Sequence, residues 1–310
     1  TMLTDPYHRR MLPMYIAKFL RNMVFWYAVE KLFMVSIGFD NATIGLMVAI
    51  YSATSIAMEI PSGIMADRWS RKGVLVLGAL CLMVSSVVGF LSHDIVVYMV
   101  CAIFWGMFDA LASGTDDAIV YDTLTEERGH ARDFEKEYGI YNAIGGAALL
   151  VSGFIGGIIG QSIGIRETFL WAVPLLFASA VVVSFFREPT FHKSLADSRL
   201  IDHTKKTFAV VFKNPRLIWV LITLFATGLA IGIIGEMNQT WLITVSAPII
   251  SFGIAGALIN SAWGFSGIIA RVFTSQAKII AGIGASLFIT LGLIYSRNYV
   301  CLLYTSPSPR

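Results

Sequence analysis

The chain has 310 residues, of which 56% are hydrophobic and 14% charged, and its net charge is +3. Soluble domains average about 45–50% apolar and about 25% charged residues, so the composition points to an all-α polytopic membrane protein. The small net charge gives no support to nucleic-acid binding. The three cysteines, Cys81, Cys101 and Cys301, lack metal or redox spacing.

A membrane-spanning helix needs about 20 mostly apolar residues. In chain order the apolar runs predict nine of them: 12–35, 43–66, 73–92, 95–115, 138–161, 167–186, 215–236, 249–270 and 278–296. The fourth is expected to continue as helix to about Leu124. Asp40-Asn41 precedes the second run and His93-Asp94 the fourth, as breakers and caps. Asn41-Ala-Thr43 matches a glycosylation pattern, but its nearness to the membrane favours capping of the second span by Asp40 or Thr43. His8, His93, His130, His192 and His203 are expected in polar connections, and Cys81 and Cys101 as buried, inert thiols.

Lysine and arginine alternate with the spans. Arg9 and Arg10, the 68–72 turn, the 128–136 connection, the 187–216 connection, Arg271 and Lys278 fall on one side; only Lys31, Arg166 and Arg297 fall on the other. By the positive-inside rule the N-terminus is expected in the cytoplasm of a multi-pass cell-membrane protein.

The 187–216 connection is the longest, with six spans before it and three after. That layout suggests a transporter built from two halves. Residues 1–187 are expected to form an N-terminal six-helix half, 188–214 a cytoplasmic linker, and 215–300 part of a second half. Arg199 to Lys213 reads equally as a basic amphipathic helix on the anionic leaflet or as plain linker. The tail 301–310 fits nothing before it and is set aside as non-native, so the protein is expected to continue beyond Val300.

The most specific stretch is Glu59-Ile-Pro-Ser-Gly63-Ile-Met-Ala-Asp67-Arg68-Trp-Ser-Arg71-Lys72-Gly73, between spans two and three. Gly63 permits close approach of a neighbouring helix. Asp67 stands four residues before Arg71, within reach of a charge-assisted hydrogen bond. This turn resembles the loop signature of major facilitator superfamily transporters, Gly-x-Leu-Ala-Asp-Arg-x-Gly-Arg-Lys, with Met65 for the Leu and Ser70 for the second Gly. The segment from Ser113 to Asp122 is also similar to bacterial members. The resemblance implies a bundle with nine of an expected twelve helices present. It also implies that Gly63, Asp67, Arg68, Arg71 and Lys72 form a gating loop that latches the two halves. Proton-coupled efflux of a small organic solute by a monomer follows from the resemblance alone.

Ionisable groups inside the spans each need a cavity or a partner. Glu59 shares a stripe with Ser52, Ser55 and Ser62. Asp109 lies mid-span on a face with Gly106, Ser113 and Asp117. Asp109, Glu59 and Arg21 are the expected coupling residues, with Arg21 either snorkelling alongside Lys18 or neutralising Glu59 or Asp109. Asp117 is expected in the latch and Asp116 as a solvated helix end. Gln239 and Asn260 are candidate gate or cavity residues, although Glu236, Asn238 and Gln239 read more simply as a solvated helix end. Gly139, Gly146, Gly153 and Gly160 recur at seven-residue steps, a smooth face for helix contact.

No nucleotide-binding, cofactor or metal motif is present. Gly-x-Ser-x-Gly and His-Glu-x-x-His are absent, which argues against an intramembrane enzyme. Solute uptake and a transport-inactive sensor remain the alternatives to efflux.

Overall fold

The computed structural model describes residues 5–189 and 214–269. The expected ninth span, most of the linker and the tail lie outside them. Among the described residues the chain is helical, with five helices long and apolar enough to cross a membrane.

The first expected span is two helices. α1 (Pro6–Arg21) starts at Asp5, whose carboxylate accepts the Tyr7 N–H at 3.0 Å. It stops where the Asn22 side chain donates to the Lys18 carbonyl at 2.8 Å, a local bond that competes with helix continuation. A 3₁₀ turn (Phe25–Ala28) follows, then α2 (Glu30–Ser36). The turn is where the core is most aromatic. Trp26 stacks on Phe169 at 4.9 Å and donates its indole N–H to Ser86 at 3.0 Å. His8, expected in a connection, lies instead within α1, with Nδ1 3.0 Å from the Tyr15 hydroxyl.

α3 (Asn41–Arg68) opens on a capping box in which the Asp40 carboxylate accepts the Thr43 N–H, as expected. Those Thr43 hydrogen bonds hold the Asp40 carboxyl below its ordinary value. α4 (Arg71–Leu91) is followed by α5 (Ile95–Ala112) and α6 (Thr115–Arg128). The expected continuous helix to Leu124 is therefore broken. Gly114 sits at φ 64°, which glycine adopts without a Cβ penalty, and it re-aims α6. α7 (Phe134–Ser162) and α8 (Glu167–Ser184) complete the first six spans. α9 (Pro215–Thr244) runs past the expected end at 236, because Trp241-Leu242-Ile243 restores an apolar face. α10 (Ile249–Ile269) turns back beside it.

α4 packs between α5 and α8, α3 lies along α5, α1 along α8, and α7 along α10. Ile56, Val96, Phe177 and Phe185 face outward, an apolar exterior of the kind a bilayer solvates. One end of the bundle carries the basic turns: the start of α1, the α3–α4 and α6–α7 turns and the end of α8. At this basic end Arg128 binds Asp5 at 2.5 Å and Glu137 at 3.2 Å, tying three helices together. Burial alone would raise the Asp5 carboxyl, but the Arg128 hydrogen bond and the Tyr7 N–H outweigh it and hold it below its ordinary value. At the opposite end Arg166 caps the last turn of α4 through the Phe90 and Ser92 carbonyls, at 2.6 and 2.7 Å.

The glycine stripe faces α10 at Gly146, Gly153 and Gly160. A Cβ on Gly153 would lie 2.5 Å from the Ala257 Cα, and one on Gly157 would lie 2.8 Å from the Gly253 Cα. Without side chains the two backbones meet directly, the packing mode favoured between membrane helices. Gly153→Val is expected to destabilise the protein by about 1–3 kcal/mol through overpacking, read as a lower melting midpoint in detergent. Gly63→Ala, where a Cβ meets nothing within 4 Å, is expected to leave that midpoint unchanged.

Candidate functional site

The α3–α4 turn is fastened on three sides. Ser70 caps α4 by accepting the Gly73 N–H at 2.9 Å. The Arg71 guanidinium forms an ion pair with Asp122 of α6, and Asp67 stands 3.8 Å from it. Glu188, just beyond α8, accepts the Arg71 N–H at 2.6 Å and the Ser70 hydroxyl at 2.7 Å. Lys72 reaches the Ser184 carbonyl at 3.3 Å, while Arg68 is exposed. Among the described residues no helix closes on Gly63. It borders a cavity of about 220 Å³ with Glu59, Asp67, Arg71, Ser113 and Ala118. The expected close approach at Gly63 is thus not met here.

Deeper in the bundle, Arg21 and Lys18 converge on one carboxylate. Asp116 Oδ2 lies 2.5 Å from Arg21 and 2.9 Å from Lys18, and Tyr141 donates to Oδ1 at 2.8 Å. This corrects three expectations. Lys18 and Arg21 do not snorkel, Arg21 neutralises neither Glu59 nor Asp109, and Asp116 is 5% exposed rather than a solvated helix end. Two cations inside an apolar bundle require such an anion, and carrying it on the re-aimed α6 supplies it. Asp117, on the next position, is exposed beside Tyr138, and Arg71 takes Asp122 as its partner instead.

Asp109 lies half-buried on α5. Its Oδ2 accepts the Ser55 hydroxyl at 2.9 Å, and the Tyr51 hydroxyl lies against the same carboxyl. Among the described residues no lysine or arginine pairs with it. Glu59, one stretch further along α3, is exposed and meets the Ser113 hydroxyl at 3.4 Å.

The opposite end holds a second network. Lys31 is 1% exposed and lies 3.0 Å from Glu30 and 2.8 Å from Glu236 of α9. Tyr98 donates to the other Glu30 oxygen at 3.0 Å. Gln239 accepts the Lys31 N–H at 3.0 Å and donates to the Tyr27 carbonyl at 2.7 Å. Beside them is a cavity of about 130 Å³ bordered by Tyr27, Trp105, Glu236, Gln239 and Asn260. Glu236 and Gln239 are therefore contact residues, not a solvated helix end, because α9 continues beyond them to Thr244.

Sequence reasoning missed Asp116, Glu188 and the Glu30–Lys31–Glu236 cluster as partners. Their only signal was a charge placed next to an apolar run, which pairs with nothing until the helices are arranged.

Comparisons with known proteins agree with this architecture. The family model described as Major Facilitator Superfamily matches residues 11–306. The inner membrane transport protein YajR of Escherichia coli K12 is 24% identical over 185 residues, covering 58% of this chain and 38% of that protein. An uncharacterized transporter of Buchnera aphidicola (subsp. Schizaphis graminum) is 26% identical over 177 residues, covering 57% of this chain and 43% of its own length. The chain thus matches less than half the length of these curated relatives. Among solved structures, a nucleoside transporter NupG mutant superposes with a TM-score of 0.66 at 18% identity, over 85% of this chain and 66% of that one. A POT family transporter in complex with a thioalcohol-conjugated peptide gives 0.52 at 16% identity, over 78% and 52%.

The Arg71–Asp122 pair lends itself to a double-mutant cycle. Arg71→Ala and Asp122→Ala are each expected to lower stability, and together by less than their sum. The expected coupling is about 1–3 kcal/mol, since the groups share one network. Additive losses in denaturation midpoints would show that the two do not interact.

Proposed function

Because the chain belongs to the Major Facilitator Superfamily, a family of transporters rather than enzymes, we propose that it is a secondary active transporter. It moves a small organic solute by alternating access and exports it in exchange for protons, as a monomer in the cell membrane. The N-terminus and the basic end face the cytoplasm. Residues 1–187 form the first half, 188–214 the linker and 215–300 part of the second half.

The observation that carries this proposal is the Lys31–Glu236 ion pair, 2.8 Å long, which joins the first six spans to α9 at the outer end. With the glycine face of α7 against α10, it supports a seam that closes on one side and can open on the other. Gly63, Asp67, Arg68, Arg71 and Lys72 act as the inner gating loop, fixed to the first half by Asp122 and Glu188. Asp67 is half-exposed, at 51% of its side-chain surface, and remains available to a partner helix. Asp109 is the coupling carboxylate: it lies within the bundle against the Ser55 and Tyr51 hydroxyls, and among the described residues no lysine or arginine pairs with it. Glu59 is the second candidate. Arg21 sets the charge of the bundle through Asp116, and Gln239 and Asn260 border the outer cavity, with Asp117 at the inner edge.

The test is flux of neutral, cationic and anionic tracer solutes into proteoliposomes, with and without an imposed pH gradient. At least one solute is expected to be accumulated against its gradient by the proton gradient. Asp109→Asn should lose that accumulation while exchange at saturating solute persists, and Asp67→Asn should slow both. No flux of any solute in either condition would contradict transport.

A further inference from the structure

The seam between α5 and its neighbours combines two features that point to one ligand chemistry. The first is aromatic. The Trp105 ring centroid lies 4.5 Å from that of Tyr51 and 5.4 Å from that of Tyr27, and all three side chains are half-buried rather than sealed in the core. Trp105 and Tyr27 border the 130 Å³ cavity directly. The second is charge. Asp109 follows Trp105 by one helical turn on the same face of α5. Its carboxylate is met by the hydroxyls of Ser55 and Tyr51, and among the described residues by no cation. The cavity itself, reached from Asp109 across the Trp105 and Tyr27 rings, is bordered by Glu30 and Glu236, which share the single ammonium of Lys31. The cavity therefore has more carboxylates than bases around it. The remaining nearby cations, Lys18 and Arg21, are held on Asp116.

We propose that this seam binds organic cations: an ammonium-type head group against Asp109, with its apolar or aromatic body over Tyr51, Trp105 and Tyr27. This rests on the transporter reading above and names its substrate class. The ring faces attract a cation through their quadrupole, and the attraction grows as water is excluded. A neutral solute gains only the apolar contact. An anion meets the carboxylate and is repelled. The Gln239 and Asn260 amides beside the rings supply neutral polar contacts that leave the sign of the site unchanged.

Calorimetric titration of the full chain in detergent micelles tests this, with benzyltrimethylammonium as the probe. Benzyl alcohol is the uncharged aromatic control and benzenesulfonate the anionic one. The cation is expected to bind saturably, with both controls weaker by about tenfold or more, a difference of one charge-assisted contact. Asp109→Asn, which keeps the shape of the side chain, should weaken the cation by a similar factor and leave benzyl alcohol unchanged. Trp105→Phe should retain binding and Trp105→Leu should lose it, and this pair decides the matter if Asp109→Asn does not fold. Equal binding of the cation and benzyl alcohol, or undiminished affinity in both Asp109→Asn and Trp105→Leu, would overturn the proposal. Proton-driven flux of some other solute by a protein that binds no cation would overturn it too, while leaving the transporter reading in place. Cation binding without any flux would do the reverse.

Discussion

Lys31 reaches Glu236 at 2.8 Å and Glu30 at 3.0 Å from a position with 1% of its surface exposed. An ammonium so placed has no water to solvate it, so its carboxylate partners decide whether α2 and α9 can sit together at all. The attraction is strong only while the contact stays dry. The ion pair thus works beside the Gln239 hydrogen bonds to Lys31 and Tyr27 in joining α9 to the first six spans, while α10 rests directly on α7.

The rest of the bundle divides its charges in a compatible way. Arg71–Asp122, Arg128–Asp5 and Lys18/Arg21–Asp116 all lie within the first six spans and hold them as one body. The contact of α7 with α10 is made of backbone and small side chains, as at Gly153 and Gly157. Larger side chains enter only towards its outer end, where Ile249 and Ile250 lie over Gly160 and Gly157. A rigid six-helix body, a smooth seam and one ionic closure at the end of that seam make a mechanically consistent set. Asp109 lies apart from that contact, on α5 against the Ser55 and Tyr51 hydroxyls of α3, and among the described residues no lysine or arginine pairs with it.

Much of the fold was legible in the sequence, because apolar runs of membrane length are long-range averages that single residues hardly alter. The cap at Asp40 and the glycine face of α7 depend on local spacing and could be read directly, whereas the Ser70 cap of α4 emerged only with the structure. The break in the first span and the kink at Gly114 were hidden for the same reason that the spans were clear. A hydropathy run does not register one backbone turn made by Asn22 or one glycine at positive φ. The site was legible in part. Arg71 and Asp67 announce themselves by motif, but Asp122 and Glu188, which hold Arg71, come from distant segments. Arg21 was visibly in need of an anion, and its partner Asp116 was masked by its neighbour Asp117 and by the unforeseen turn that points it inward. Lys31 and Glu236 fell near the expected ends of two spans, where charge is ordinary, so only the packing of α9 against α2 gives the pair meaning.

If the protein works by alternating access, the two groups of helices are expected to part and rejoin at the end where Lys31 meets Glu236. Spin labels on exposed Ser36 of α2 and Thr244 of α9, in a chain freed of its cysteines, measure that separation by pulsed dipolar spectroscopy in lipid. Two distance populations are expected, with the longer one dominant in Lys31→Gln and the shorter one in the unaltered sequence. A single distance, the same with and without Lys31, would contradict the account.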